Sequence, residues 1–143
     1  MTNEKVKKYL NNLPADRRVL FEKKNYDIWN FDNDNLLRLV LEGKKVATAG
    51  LLADHKKVPD VGDLGIITNS HGEPCCIIKY MSIETKPFLE VDFEFARSEG
   101  EGFKNIEEWR AEHRKLFTNW SNGGFTDESK ILCESFKLLY PVK

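Results

Sequence analysis

The stretch that most constrains this chain is Gly43-Lys44-Lys45-Val46-Ala47-Thr48, because there a helix must give way to a strand within a few residues. Upstream, Leu36, Leu37, Val40 and Leu41 share the apolar side of a helix predicted over Asp34 to Glu42. Gly43 stops it, since glycine takes the left-handed C-terminal conformation without steric penalty. The small and β-branched residues that follow read as an emerging strand. Lys45 and Thr48 therefore sit at a helix-to-strand junction, where a rigid scaffold can hold functional groups. A lysine that loses its charge on desolvation can take the proton of a nearby threonine hydroxyl, which makes the two a candidate base and nucleophile. The same residues also read as a solvated lysine pair beside a strand threonine.

Bulk properties narrow the function classes. At 143 residues the chain is one domain, long enough for a core without staples. The net charge of -1 supplies no overall positive field for nucleic acid or anionic lipid, so polynucleotide binding needs a local basic patch. Three cysteines, two of them adjacent, do not make a disulfide framework. Cys75 and Cys76 point to opposite faces of a strand, and no second ligand pair completes a zinc site with His71 and Cys75. Reduced, mostly buried thiols in a cytoplasmic protein are expected. No apolar run is long enough to cross a bilayer, and no signal-peptide core is present at the N-terminus.

Along the chain, Val6, Tyr9, Leu10 and Leu13 have helical spacing over Thr2 to Asn12; Pro14 breaks that pattern, and a second helix is expected over Ala15 to Lys23. Tyr26 to Phe31 alternates aromatic and polar residues, and one of Asp32, Asn33 or Asp34 should cap the helix that follows. Asp54 to Asp60 is a charged connection carrying Lys56 and Lys57. Leu64 to Thr68 and Cys75 to Ile83 form paired strands, with His71 at the exposed turn between them. Phe88 to Ser98 combines apolar anchors with a short helix and leads into Glu99-Gly100-Glu101-Gly102, two carboxylates between glycines. Neighbouring carboxylates raise each other's pKa, which suits a proton donor; a flexible acidic loop is the simpler reading. Asn105 and Glu108 open a helix to about Trp120 whose apolar stripe holds Trp109, His113 and Phe117. His113 is either hydrogen-bonded structure or a group that orients Glu99 or Glu101. Ile131 to Tyr140 closes the chain as a strand, in which Glu134 must face solvent or find a partner.

Several of these stretches, taken in order, resemble the ASCH domain family of the PUA-like superfamily. They are Leu36-Leu37 with Leu39-Val40-Leu41, the Gly43 to Thr48 turn, Val61-Gly62-Asp63-Leu64, Phe88 with Val91-Asp92, Phe95 to Gly102, Trp109, His113, Phe117, and Cys133-Glu134-Ser135-Phe136. The resemblance implies an α+β fold, a mostly antiparallel PUA-like β-barrel with peripheral helices. Residues 1–25 would be a helical extension packed on the barrel and 26–143 the domain itself. It also implies a nucleoside or RNA ligand, with no cofactor, metal, membrane or DNA. One short branch of the family hydrolyses N4-acetylcytidine with a Lys-x-x-Thr pair and a glutamate in an Ala-x-x-Glu context. Here those positions are Lys45, Thr48 and Glu99, as base, nucleophile and proton donor, with Lys44, Glu101, Trp29 and His113 on the substrate side. Three departures stand out: Asp32 replaces a glycine common after the phenylalanine, the arginine two residues beyond the threonine is Gly50 here, and the long C-terminal helix with the Glu101-Gly102 extension is absent from that short branch, so the chain resembles the longer ASCH branch. A non-catalytic RNA-binding module and a metal-independent ribonuclease are the alternatives. The binding module predicts Lys44, Lys45, Lys56 and Lys57 clustered on one face.

Overall fold

The computed structural model describes residues 4–141. Helix α1 (Glu4–Asn11) covers most of the first expected helix; Thr2 and Asn3 lie outside the described residues. The expected second helix is two single turns, α2 (Ala15–Arg18) and α3 (Leu20–Lys23), separated at Val19. Four residues per piece leave too few internal hydrogen bonds to sustain a helix alone, so packing holds them. Val6 and Leu13 are buried, and the Arg17 guanidinium donates to the Leu139 carbonyl at 3.2 Å, tying this region to the last strand.

Five strands follow: β1 (Tyr26–Asn30), β2 (Ala47–Leu51), β3 (Leu64–Thr68), β4 (Pro74–Pro87) and β5 (Lys130–Tyr140). They form one sheet in the order β1-β3-β4-β5-β2, curled into half a barrel. The β1–β3 pair is parallel and every other pair antiparallel. The long β4 bends over register shifts near Ile77 and between Tyr80 and Ser82, as extra residues in a ladder bend and twist a strand.

Helix α4 (Asp34–Leu41) is capped by Asn33, whose side chain accepts from the Asn35 N–H, and packs Leu37 and Val40 on one side of the sheet. Helices α5 (Phe93–Ser98) and α6 (Ile106–Trp120) cover the other side, where Trp109 and Phe117 meet Phe88, Leu51 and Ile131. Asn105 accepts from the Glu108 N–H at 2.9 Å, while Glu108 bonds the Lys104 N–H. Because side chains alternate along β5, Ile131 and Cys133 enter the α6 core while Phe136 enters the α4 core. Glu134 falls on the α4 side.

Asp32 explains how the chain manages without the expected glycine. Its φ is +55°, and aspartate tolerates this left-handed region better than most residues. Its N–H donates to the Asn30 carboxamide oxygen at 2.8 Å. The turn keeps a glycine-like backbone with a different side chain.

Candidate functional site

Gly43 has φ +79° and ends α4 as its sequence requires. The chain then passes directly beneath the acidic bend. The Val46 N–H donates to the Ser98 carbonyl at 3.0 Å, and Gly100 (φ +69°) lies so close that a β-carbon there would sit 2.1 Å from the Lys44 carbonyl oxygen. Backbone contact alone thus brings Lys45 under Glu99 and Glu101.

The Lys45 side chain is 1% exposed. Its ammonium donates to Glu101 Oε2 at 2.8 Å and to Glu99 Oε2 at 3.3 Å, and lies 5.6 Å from the centre of the Phe31 ring. The other Glu99 oxygen accepts the Trp109 indole N–H at 2.5 Å and faces His113 Nε2 at 3.7 Å. His113 Nδ1 meets the Trp109 carbonyl at 2.9 Å. A carbonyl only accepts, so Nδ1 carries a hydrogen, and the ring stacks on Trp109 with centroids 4.2 Å apart. Lys45, Glu99, Glu101 and His113 therefore converge at the edge of β2, where the two cores meet.

The two carboxyl groups are pulled in opposite directions. Burial alone would raise Glu99, but His113 and Lys45 outweigh it and hold the carboxyl below its usual range. Burial raises Glu101 above its usual range despite Lys45, and the Glu99 charge adds to the rise.

The other candidates lie elsewhere. Lys44 turns outward to pair with Glu42 at 3.1 Å. Lys45 is enclosed between carboxylates, so the basic face expected of Lys44, Lys45, Lys56 and Lys57 does not form: Lys45 contributes no charge to the surface. Thr48 is half-buried on β2 opposite Glu134, and among the described residues no hydrogen bond joins its hydroxyl to Lys45. Trp29, half-buried on β1, donates its indole N–H to the Tyr80 hydroxyl at 2.9 Å and meets Phe31 edge-on. The N–H groups of Gly43, Lys44, Lys45 and Val46 all donate to backbone carbonyls, so none of the four is free to form an oxyanion hole. A concavity of about 300 Å³, lined by Ser82, Lys86, Ser98 and Cys133 among others, does not have Lys45 or Thr48 in its lining.

Sequence reasoning missed one cluster. Asp27 accepts the Tyr80 hydroxyl at 3.0 Å, and Glu134 lies close enough for its charge to raise Tyr80 and for the Asp27 charge to raise Glu134. These residues come from β1, β4 and β5 and share no local motif; only the sheet order brings them together. The Asp27-x-Trp29 alternation is the one sequence signal that they share a face.

The ASCH domain model matches residues 27–140. The chain belongs to the ASCH domain family. Its structure is similar to that of an ASCH domain from Lactobacillus crispatus JV V101, with 27% identity, a TM-score of 0.78, and 96% of this chain and 95% of that one covered. Protein EF3133 from Enterococcus faecalis V583 is also 27% identical, with a TM-score of 0.69 and coverage of 79% and 76%. Among curated proteins no sequence matches this ASCH domain. No helix among its described residues is long and apolar enough to cross a membrane.

Proposed function

We propose that this ASCH domain binds a nucleoside, free or within RNA, and that the Lys45 cluster performs acid–base chemistry on it, removing an acyl group of the N4-acetylcytidine kind. The observation that carries this reading is one buried amine between two carboxyl groups with opposed pulls. Groups whose environments drive their pKa values apart are how a site divides acid and base roles. A buried charge cluster is also a poor way to gain stability, since desolvation cancels much of the attraction.

Family resemblance gives the proton-donor role to Glu99. The surroundings favour Glu101: Glu99 is held ionised and fixed by Trp109, whereas Glu101 is raised and one-fifth exposed. The Lys45 proton passes to Glu101, leaving a neutral amine beside a carboxylic acid. The Thr48 oxygen then adds to the acyl carbonyl as its proton moves to Lys45. The C–N bond breaks as Glu101 protonates the departing nitrogen, which restores the ion pair. Water cleaves the threonine ester and releases the acid.

The test is acetate release and the accompanying absorbance change with N4-acetylcytidine. Thr48→Ala and Glu101→Gln are each expected to lose about 10²-fold or more in rate. Binding without turnover is the second reading, favoured by the occupied N–H donors of the Gly43 to Val46 turn. Wild-type protein that binds the nucleoside but releases no acetate would establish it. Labelled RNA cut without added metal would favour the ribonuclease instead.

A further inference from the structure

Glu134 is 7% exposed, and among the described residues no hydrogen bond or ion pair reaches its carboxyl group. Burying a carboxyl without a partner is costly, and the fold offers no compensation on this face. Its surroundings are built rather than collapsed. Glu134 faces the side of the sheet that carries Asp27 and Tyr80, with Thr48 opposite it on β2. The Tyr80 hydroxyl lies 3.0 Å from both Asp27 carboxylate oxygens and shares its one proton between them, while itself accepting the Trp29 indole N–H. Two glycines let polar side chains lie close against this face of the sheet: a β-carbon at Gly65 would lie 3.0 Å from the Asp27 carboxyl, and one at Gly50 would lie 2.9 Å from the His55 ring.

Once ionised, Glu134 needs a partner that supplies hydrogen-bond donors, because a carboxylate only accepts and an Asp27 already held by Tyr80 gives it none. It must also suit a half-buried wall containing Trp29 and Phe31, whose rings meet edge-on at 4.8 Å. A planar heterocycle with an amino group on its edge meets both conditions. We infer that Glu134 reads the amino-bearing edge of a nucleobase, distinguishing an amino pyrimidine from its oxo counterpart, on a wall fixed by Asp27, Tyr80 and Trp29. This rests on the nucleoside reading proposed above and adds the residue that sets base preference. An oxo group at the same position would set one acceptor against another, which is how a carboxyl group rejects it.

The experiment is calorimetric titration of the full chain with cytidine and with uridine, for wild type and Glu134→Gln, with and without a chelator. Wild type is expected to prefer cytidine by about tenfold or more. Glu134→Gln keeps the shape but gives the residue a donor, so the preference should shrink to within about threefold, chiefly through tighter uridine binding. Asp27→Asn, which also keeps shape, should weaken the preference less. Equal binding of both nucleosides by wild type, or an unchanged preference in Glu134→Gln, would overturn the inference while leaving the nucleoside reading intact. Loss of cytidine binding on chelation would make Glu134 a metal ligand and overturn it as well. Failure of wild type to bind either nucleoside would overturn both.

Discussion

Lys45 has almost no contact with water, and two carboxylates take the place of its hydration. Removing one member of such a group leaves the others buried and unpaired, so Lys45→Met should lose about 3–5 kcal/mol of stability in denaturant titration. Activity lost by that variant is therefore ambiguous, and Thr48 is the cleaner probe. Glu134 behaves in the opposite way. Burial, with help from the Asp27 charge, pushes its carboxyl up to about 7 from 4.5. The folded state then binds the proton more tightly than the unfolded chain. Its contribution is full below pH 4.5 and is lost as pH rises through about 7, a difference of roughly 3 kcal/mol. Glu134→Gln carries no such penalty, so its melting temperature should exceed that of wild type at pH 8 by more than it does at pH 5. An equal difference at both pH values would mean that Glu134 is satisfied. Sequence alone offered Glu134 a solvent face or a partner; it has neither, because the partner question depends on strands far apart in the chain.

At the scale of elements, the acidic bend between α5 and α6 is positioned by its glycines to unequal degrees. Gly100 has φ +69° and no room for a β-carbon, whereas Gly102 has φ +88° and open space around it. Gly102→Ala should cost about 1–2 kcal/mol, the ordinary strain of a left-handed alanine. Gly100→Ala should cost clearly more, since the Lys44 backbone must also move and Lys45 with it. Comparable melting temperatures for the two variants would mean that the bend does not rest on the Lys44 strand approach. Most element boundaries were legible: the Gly43 stop, the Asn105 cap and the Leu64 to Thr68 strand each carry local chemistry. The break at Val19 has no such signal, and it arises from how two short turns pack.

For the whole molecule, a net charge of -1 and an enclosed Lys45 leave no net excess of cations to meet a phosphate backbone. Affinity for a short single-stranded RNA should thus fall less than about tenfold between 50 and 200 mM salt, the behaviour of one or two phosphate contacts. A steeper slope in a gel-shift series would point to an RNA groove outside the Lys45 cluster. The order of motifs along the chain was enough to indicate the family. The site was only half legible, because Lys45, Glu99 and His113 belong to motifs, while Phe31, Trp109 as a donor, and Asp27 with Tyr80 depend on sheet order.

The single backbone bond from the Val46 amide to the Ser98 carbonyl joins segments more than fifty positions apart and lies beside the charged cluster. Deuterium uptake at that one amide should therefore report whether the Lys45 amine and the acidic bend are assembled, independently of the rest of the sheet. A variant could keep its melting curve and still betray, by rapid labelling there, a centre that spends its time apart.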